Sequence, residues 1–194
     1  MRAARFYRNR AGQWLARMEA QRRVLRRSPD SSIDSSVRIV SPDLLELGAR
    51  ADLQTGVVLH CGGLEWSGGR GHVRIGADAV LSPYCVVFGA GGIEIGDRFD
   101  CGPGCMLFSS RTLYGHTSAE PPGRSHTLGA IAIGDDVTLY AGCVIGPGVT
   151  IGSGAAVGAG SVVLGDVPPR ALYAGAPARR IRDIPPSGSP GTDR

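Results

Sequence analysis

The side chains best placed to do chemistry are histidines, and they are unevenly spread. His116 and His126 share one polar segment, LYGHTSAEPPGRSHTLGAIA (113–132), and His72 lies in a second polar stretch, 65–74. A neutral imidazole, with an ordinary pKa of about 6.5, is half-way to charge near neutral pH. It can take the proton of a hydroxyl or amine as that group attacks a carbonyl, then hand it to the leaving group. Such a base contributes roughly 10²–10⁴-fold to a rate. The five cysteines offer less: Cys101-x-x-x-Cys105 lacks zinc spacing, and no metal is expected.

These residues must be positioned by what surrounds them, which is a repeat of six. From Ile133 an aliphatic residue recurs at Leu139, Ile145, Ile151, Val157 and Val163. A small or branched residue follows each by four places: Val137, Cys143, Val149, Ala155, Ser161 and Val167. The same period runs through Leu47, Leu53, Leu59; Ile75, Leu81, Val87; and Ile95, Cys101, Leu107, with Ile33, Ile39 and Leu45 fitting more loosely. Period six suits neither a lone helix nor a two-faced strand. It predicts short strands joined by tight corners, three to a triangular coil, with aliphatic residues inward and small ones beside them. Stacked coils then share one core that no single coil could bury. Cys85, Cys105 and Cys143 fall at the small inward position and Cys101 at an aliphatic one, so they are expected to be buried thiols. His60 falls at a corner.

The breaks in the period are aligned. Coils restart at Leu47, Ile75, Ile95 and Ile133, which leaves 10, 2 and 20 residues beyond a coil of 18. All three breaks leave from one position in the coil, so the insertions should project from one edge of the prism. Loops grouped on a rigid edge are where function is expected. The longest insertion, polar and rich in Pro and Gly, is expected to be loop rather than strand.

The segment IGDDVTLYAGCVIGPGVTIGSGAAVGAGSVVLGDVPPRALYAGAPARRIR (133–182) resembles the last coils and cap of hexapeptide-repeat acyltransferases, in particular the maltose/galactoside and polysaccharide O-acetyltransferase branch. The resemblance implies an all-β fold: a left-handed parallel β-helix of about five to six coils, an N-terminal helix and a short helical cap. It implies a homotrimer with acetyl-CoA bound between subunits. His116, 17 residues before Ile133, matches the position of the catalytic base. Ala141 and Ala159 match positions that bond the pantetheine arm, and Arg179 and Arg182 match those that meet the nucleotide phosphates. His126, His72 and Tyr140 are further candidates for touching substrate. Tyr140, where the family has Gly, either narrows the donor tunnel or lines the acyl pocket. The sequence GAGG (89–92) stands where the galactoside branch has acidic and amide residues, which leaves the acceptor open.

The expected organisation is a basic helix and linker over 1–32, the β-helix over 33–168, a cap over 169–182 and a flexible tail over 183–194. Residues 1–27 hold nine Arg against one Glu, and the rest of the chain holds 12 Arg against 16 acidic residues. A nucleic-acid binder would spread positive charge over its folded body, so nucleic acid is not an expected partner. The basic helix, expected over 3–27, places Tyr7, Trp14, Met18 and Leu25 on one face. That face either packs on the β-helix or meets an anionic membrane surface. Without an apolar leader or a span of roughly 18 apolar residues, the expected location is cytoplasmic, with the inner membrane face as a variant. The leading functional expectation is O-acetylation of a sugar or polysaccharide. The alternative is N-acetylation of an amino sugar or antibiotic. A carbonic-anhydrase-like metalloenzyme and a non-catalytic scaffold are distant readings.

Overall fold

The computed structural model describes residues 2–113 and 126–185, with side chains from residue 12 onward. The sixfold period becomes three parallel faces. The first runs through Ser32–Ile33, Asp52–Leu53, Val80–Leu81, Asp100–Cys101, Thr138–Leu139 and Ala156–Val157. The second stacks six strands: Arg38–Val40, Val58–His60, Val86–Phe88, Met106–Phe108, Val144–Ile145 and Val162–Val163. The third stacks five, from Leu45–Leu47 through Val73–Ile75, Ile93–Ile95 and Ile131–Ile133 to Thr150–Ile151. Each strand pairs in register with its equivalent in the next coil, as in Leu59 beside Val87 and Leu107 beside Ile145. Mostly β structure in three parallel sheets fits a left-handed β-helix.

The inward residues stack in columns. Ala51, Ala79, Phe99, Val137, Ala155 and Ala171 form one and are all buried. Phe99 departs from the expected small residue, and alanine and valine beside it leave room for the ring. Leu45, Ile93 and Ile131 are also large and fully buried. Each begins a third-face strand. A second column holds Cys85, Cys105 and Cys143 with Val37, Val57 and Ser161, and Cys61 lies buried at the start of an insertion. Burial pushes the Cys61 thiol up to about 12. Fewer than one of the five thiols should therefore react with a disulfide reagent at pH 8 in the native protein, and all five after denaturation. Rapid native labelling of two or more would overturn this packing.

The edge between the third and first faces needs one left-handed residue per coil. Gly154 supplies it in one coil, at φ 69°, and in the others Arg50, Asp78, Arg98, Asp136 and Arg170 adopt φ between 51° and 57°. Opposite charges on successive coils meet. The Arg50 guanidinium donates two hydrogen bonds to Asp78, both at 2.6 Å, and Arg98 donates to both oxygens of Asp136 at 2.5 and 2.7 Å. The hydrogen bonds from Arg98 hold the Asp136 carboxyl below its ordinary 3.8. A lowered carboxyl pKa stabilises the fold above the unfolded value and ceases to do so as pH falls through the folded one. Arg98→Gln should thus be less stable than wild type at pH 7, with the gap closing as pH drops below about 3.8. Urea titrations at both pH values check this; a gap independent of pH would count against it.

Both ends of the tube are covered. At the N-terminal end α1 (Arg2–Leu25) lays Ala20, Gln21 and Val24 on the first coil. The Gln21 amide donates to the carbonyls of Val37 at 2.9 Å and Asp34 at 3.1 Å, satisfying backbone groups that no further coil can reach. The linker after α1 is tied down: Ser28 is buried and donates to Leu47, and Ser31 donates to Gly48 at 2.9 Å. At the other end the expected helical cap is instead a β-hairpin. Ala171–Gly175 extends the first face in parallel, and Ala178–Asp183 folds back antiparallel on it. Tyr173 and Leu172 can pair with the exposed edge of Ala156–Val157, which a helix would leave with unmet backbone groups. Of the tail, Asp183 ends that strand and the Ile184 N–H donates to Arg170; residues 186–194 lie outside the described residues.

Candidate active site

The breaks in the period all open between a second-face strand and the following third-face strand. The first runs from His60 to Val73, the second from Phe88 to Ile93 and the third from Phe108 to Ile131. They therefore lie one above another on a single edge. The third is not loop throughout. Its two ends, Ser110–Thr112 and His126–Leu128, pair as an antiparallel ribbon, with Thr112 opposite His126. Thr127 and Thr112 are β-branched and suit such a ribbon, a signal that the overall polar composition hid. His116 itself lies outside the described residues.

His126 is held from two sides. Its Nδ1 faces the Thr112 hydroxyl at 3.4 Å, and its ring stacks on Trp66 with centroids 4.1 Å apart. Trp66 belongs to the other long insertion, so the stack ties the two insertions together across the coil between them. In the sequence Trp66 is marked only as an aromatic residue in a polar insertion that shares an edge with the one holding His126. The coil spanned by the stack carries GAGG. A Cβ at Gly91 would lie 2.3 Å from the Ser109 carbonyl oxygen, and one at Gly92, where φ is +92°, would lie 2.9 Å from the His72 ring. Close approach of the insertions therefore demands glycine there.

His72 does not join His126. Its Nε2 lies 2.6 Å from Glu94 Oε1 on the third face, where Arg74 also donates to Glu94 at 2.7 Å and to Glu46 at 2.8 Å. His60 ends its strand at the corner, its ring against Phe88 at 4.6 Å. Burial holds its imidazole below the ordinary value. Its buried Nδ1 has no hydrogen-bond partner among the described residues.

The residues matched to the acyl donor gather on a different edge, between the first and second faces. The Gly160 N–H donates to the Ala141 carbonyl at 2.8 Å, so Ala141 and Ala159 occupy the same corner of successive coils. Exposed Tyr140 adjoins them. The cap hairpin turns over this corner: Gly175 N–H bonds the Ser161 hydroxyl at 3.1 Å. Arg179 and Arg182 lie on the outer cap strand, both exposed. Between the two edges the second face carries an open groove of about 640 Å³, lined by Phe108, Arg111, Leu128, Val144, Pro147 and Leu164 among others. Among the described residues no three metal-ligating side chains converge.

Comparison with known proteins adds the following. Residues 131–165 match the family model "Bacterial transferase hexapeptide (six repeats)". An 87-residue stretch is 47% identical to 2,3,4,5-tetrahydropyridine-2,6-dicarboxylate N-acetyltransferase of Halalkalibacterium halodurans, covering 45% of this chain and 34% of that protein. The chain thus spans about a third of the length of that curated relative. Among solved structures, a variant of AntD, an N-acyltransferase from Bacillus cereus, in complex with dTDP-4-amino-4,6-dideoxyglucose and coenzyme A, superposes with a TM-score of 0.70. It is 21% identical, over 81% of this chain and 83% of that one. A hexapeptide-repeat-containing acetyltransferase from Vibrio cholerae superposes with a TM-score of 0.65. It is 27% identical, over 87% and 90% of the two chains. The three parallel faces and these likenesses give the chain the fold of the hexapeptide-repeat acyltransferases, and residues 131–165 carry the repeat itself.

Proposed function

We propose that this protein is a coenzyme A-dependent N-acyltransferase whose acceptor is the amino group of an amino sugar, nucleotide-linked in the first instance. The observation that carries the reading is the 47% identity to an enzyme named for N-acetylation, with which the N-acyltransferase likeness agrees. The expectation of polysaccharide O-acetylation, and of the maltose/galactoside branch in particular, gives way to the alternative made from the same residues. A histidine base serves either nucleophile, so the repeat and its insertion do not separate them.

The chemistry assigned to the chain's own residues is a direct transfer. The acceptor amine attacks the thioester carbonyl, a C–N bond forms and the C–S bond breaks. His116 takes the proton released from nitrogen and returns it to the departing thiolate. Backbone groups at Ala141 and Ala159 hold the pantetheine arm, and Arg179 and Arg182 meet the nucleotide phosphates. Donor edge and insertion edge are different edges of one prism, which favours a homotrimer in which one subunit's insertions face a neighbour's donor edge. The outer side of the second face supports this: past Arg38 in the first coil, Val58, Val86, Met106, Val144, Val162 and Leu164 make it apolar, whereas Glu46, Arg74 and Glu94 line the third face.

The test is coenzyme A release from acetyl-CoA over matched pairs of sugar nucleotides that differ only in amine or hydroxyl at one carbon. Turnover is expected on the amines. Turnover on hydroxyl members with none on amines would overturn the reading.

A further inference from the structure

We infer that α1 is a docking helix for an anionic lipid surface, an attachment separate from acyl transfer. The face of α1 that seats it on the β-helix is not its apolar stripe. Ala20, Gln21 and Val24 make the contact, while Trp14 and Leu15 are 54% and 60% exposed and Met18 and Leu25 are half-buried. At 100° per residue, Trp14, Leu15, Met18 and Leu25 form a stripe roughly a third of a turn away from the seated face. Only the C-terminal part of the helix is seated; every residue from Gly12 to Ala16 is exposed. The stripe continues into exposed Arg22 and Arg26.

Charge selects the occupant. Residues 1–27 carry nine Arg and one Glu, whereas the rest of the chain is net acidic. Indole and leucine beside arginine fit a headgroup boundary, where the rings and aliphatic chains enter the acyl region and the guanidinium groups meet phosphate. Duplex nucleic acid would use the arginines and leave Trp14 and Leu15 idle. A second copy of so basic a helix would repel the first.

Flotation of the full chain with phosphatidylcholine vesicles, with or without 30% phosphatidylglycerol, tests this. The protein should float with the anionic vesicles alone, and the bound fraction should fall in 0.5 M salt. Trp14→Ser combined with Leu15→Glu should reduce binding more than tenfold. Arg22→Gln with Arg26→Gln should lower it by about fivefold for each charge removed. All four positions are exposed, so the thermal midpoint of both variants should match wild type. No flotation, equal binding to both vesicle types, or unchanged binding in Trp14→Ser/Leu15→Glu would overturn the inference. So would a wild-type oligomer that this variant splits, or wild-type protein that binds duplex DNA and not vesicles.

Discussion

Replacing His116 by alanine is expected to lower kcat for acyl transfer by roughly 10²–10⁴-fold while leaving the KM for acetyl-CoA within about twofold. The reasoning begins with the nucleophile. A protonated amine has no lone pair to offer, and a hydroxyl is a weak nucleophile until its proton is being removed. One positioned base removes that obstacle, and holding the two substrates together supplies much of the remaining acceleration. The residues proposed to hold the donor lie on another edge of the subunit, so deleting the imidazole should leave donor binding alone. Measured coenzyme A release with a verified acceptor, alongside donor affinity by calorimetry, separates the two effects. Near-wild-type turnover would remove His116 from the chemistry and direct attention to His126, which the structure holds between Trp66 and Thr112.

The second large effect concerns the fold. Leu107→Ala should destabilise the protein by about 2–5 kcal/mol, a drop in Tm on the order of 10 °C. Leu107 is fully buried in a strand paired on both sides, with Val87 in one coil and Ile145 in the other. Backbone ladders fix the spacing of the coils at about 4.8 Å, so the walls cannot collapse into the space that the side chain vacates. Leu107→Met, which conserves volume, should cost less than about 1.5 kcal/mol. Calorimetric scans of both variants check this, and equal losses would mean that shape rather than volume is being read.

The repeat was legible because its cause is local. A triangular coil with a narrow interior demands an aliphatic residue at every sixth place, and that demand is written into the coils from Leu47 to Val163, with Cys101 the one departure. The common edge of the insertions followed from the same count. The cap was misread because AGAPARRIR looks equally apt for a helix end; what decides is the unpaired edge of Ala156–Val157 waiting below it. Trp66 was missed because nothing in its own neighbourhood points 60 residues ahead to His126.

What the sequence determined by itself was periodicity: which residues face inward, where the coil is interrupted, and that an imidazole rides in the longest interruption. Tertiary structure alone decided which side chains from separate insertions meet, that the insertions and the residues matched to a donor site occupy different edges, and which face of α1 is left exposed. The physical reason is range. Backbone geometry acts over a few residues and leaves a repeating trace, whereas a stacking partner or a seated helix face depends on surfaces that exist only once the coils are piled up.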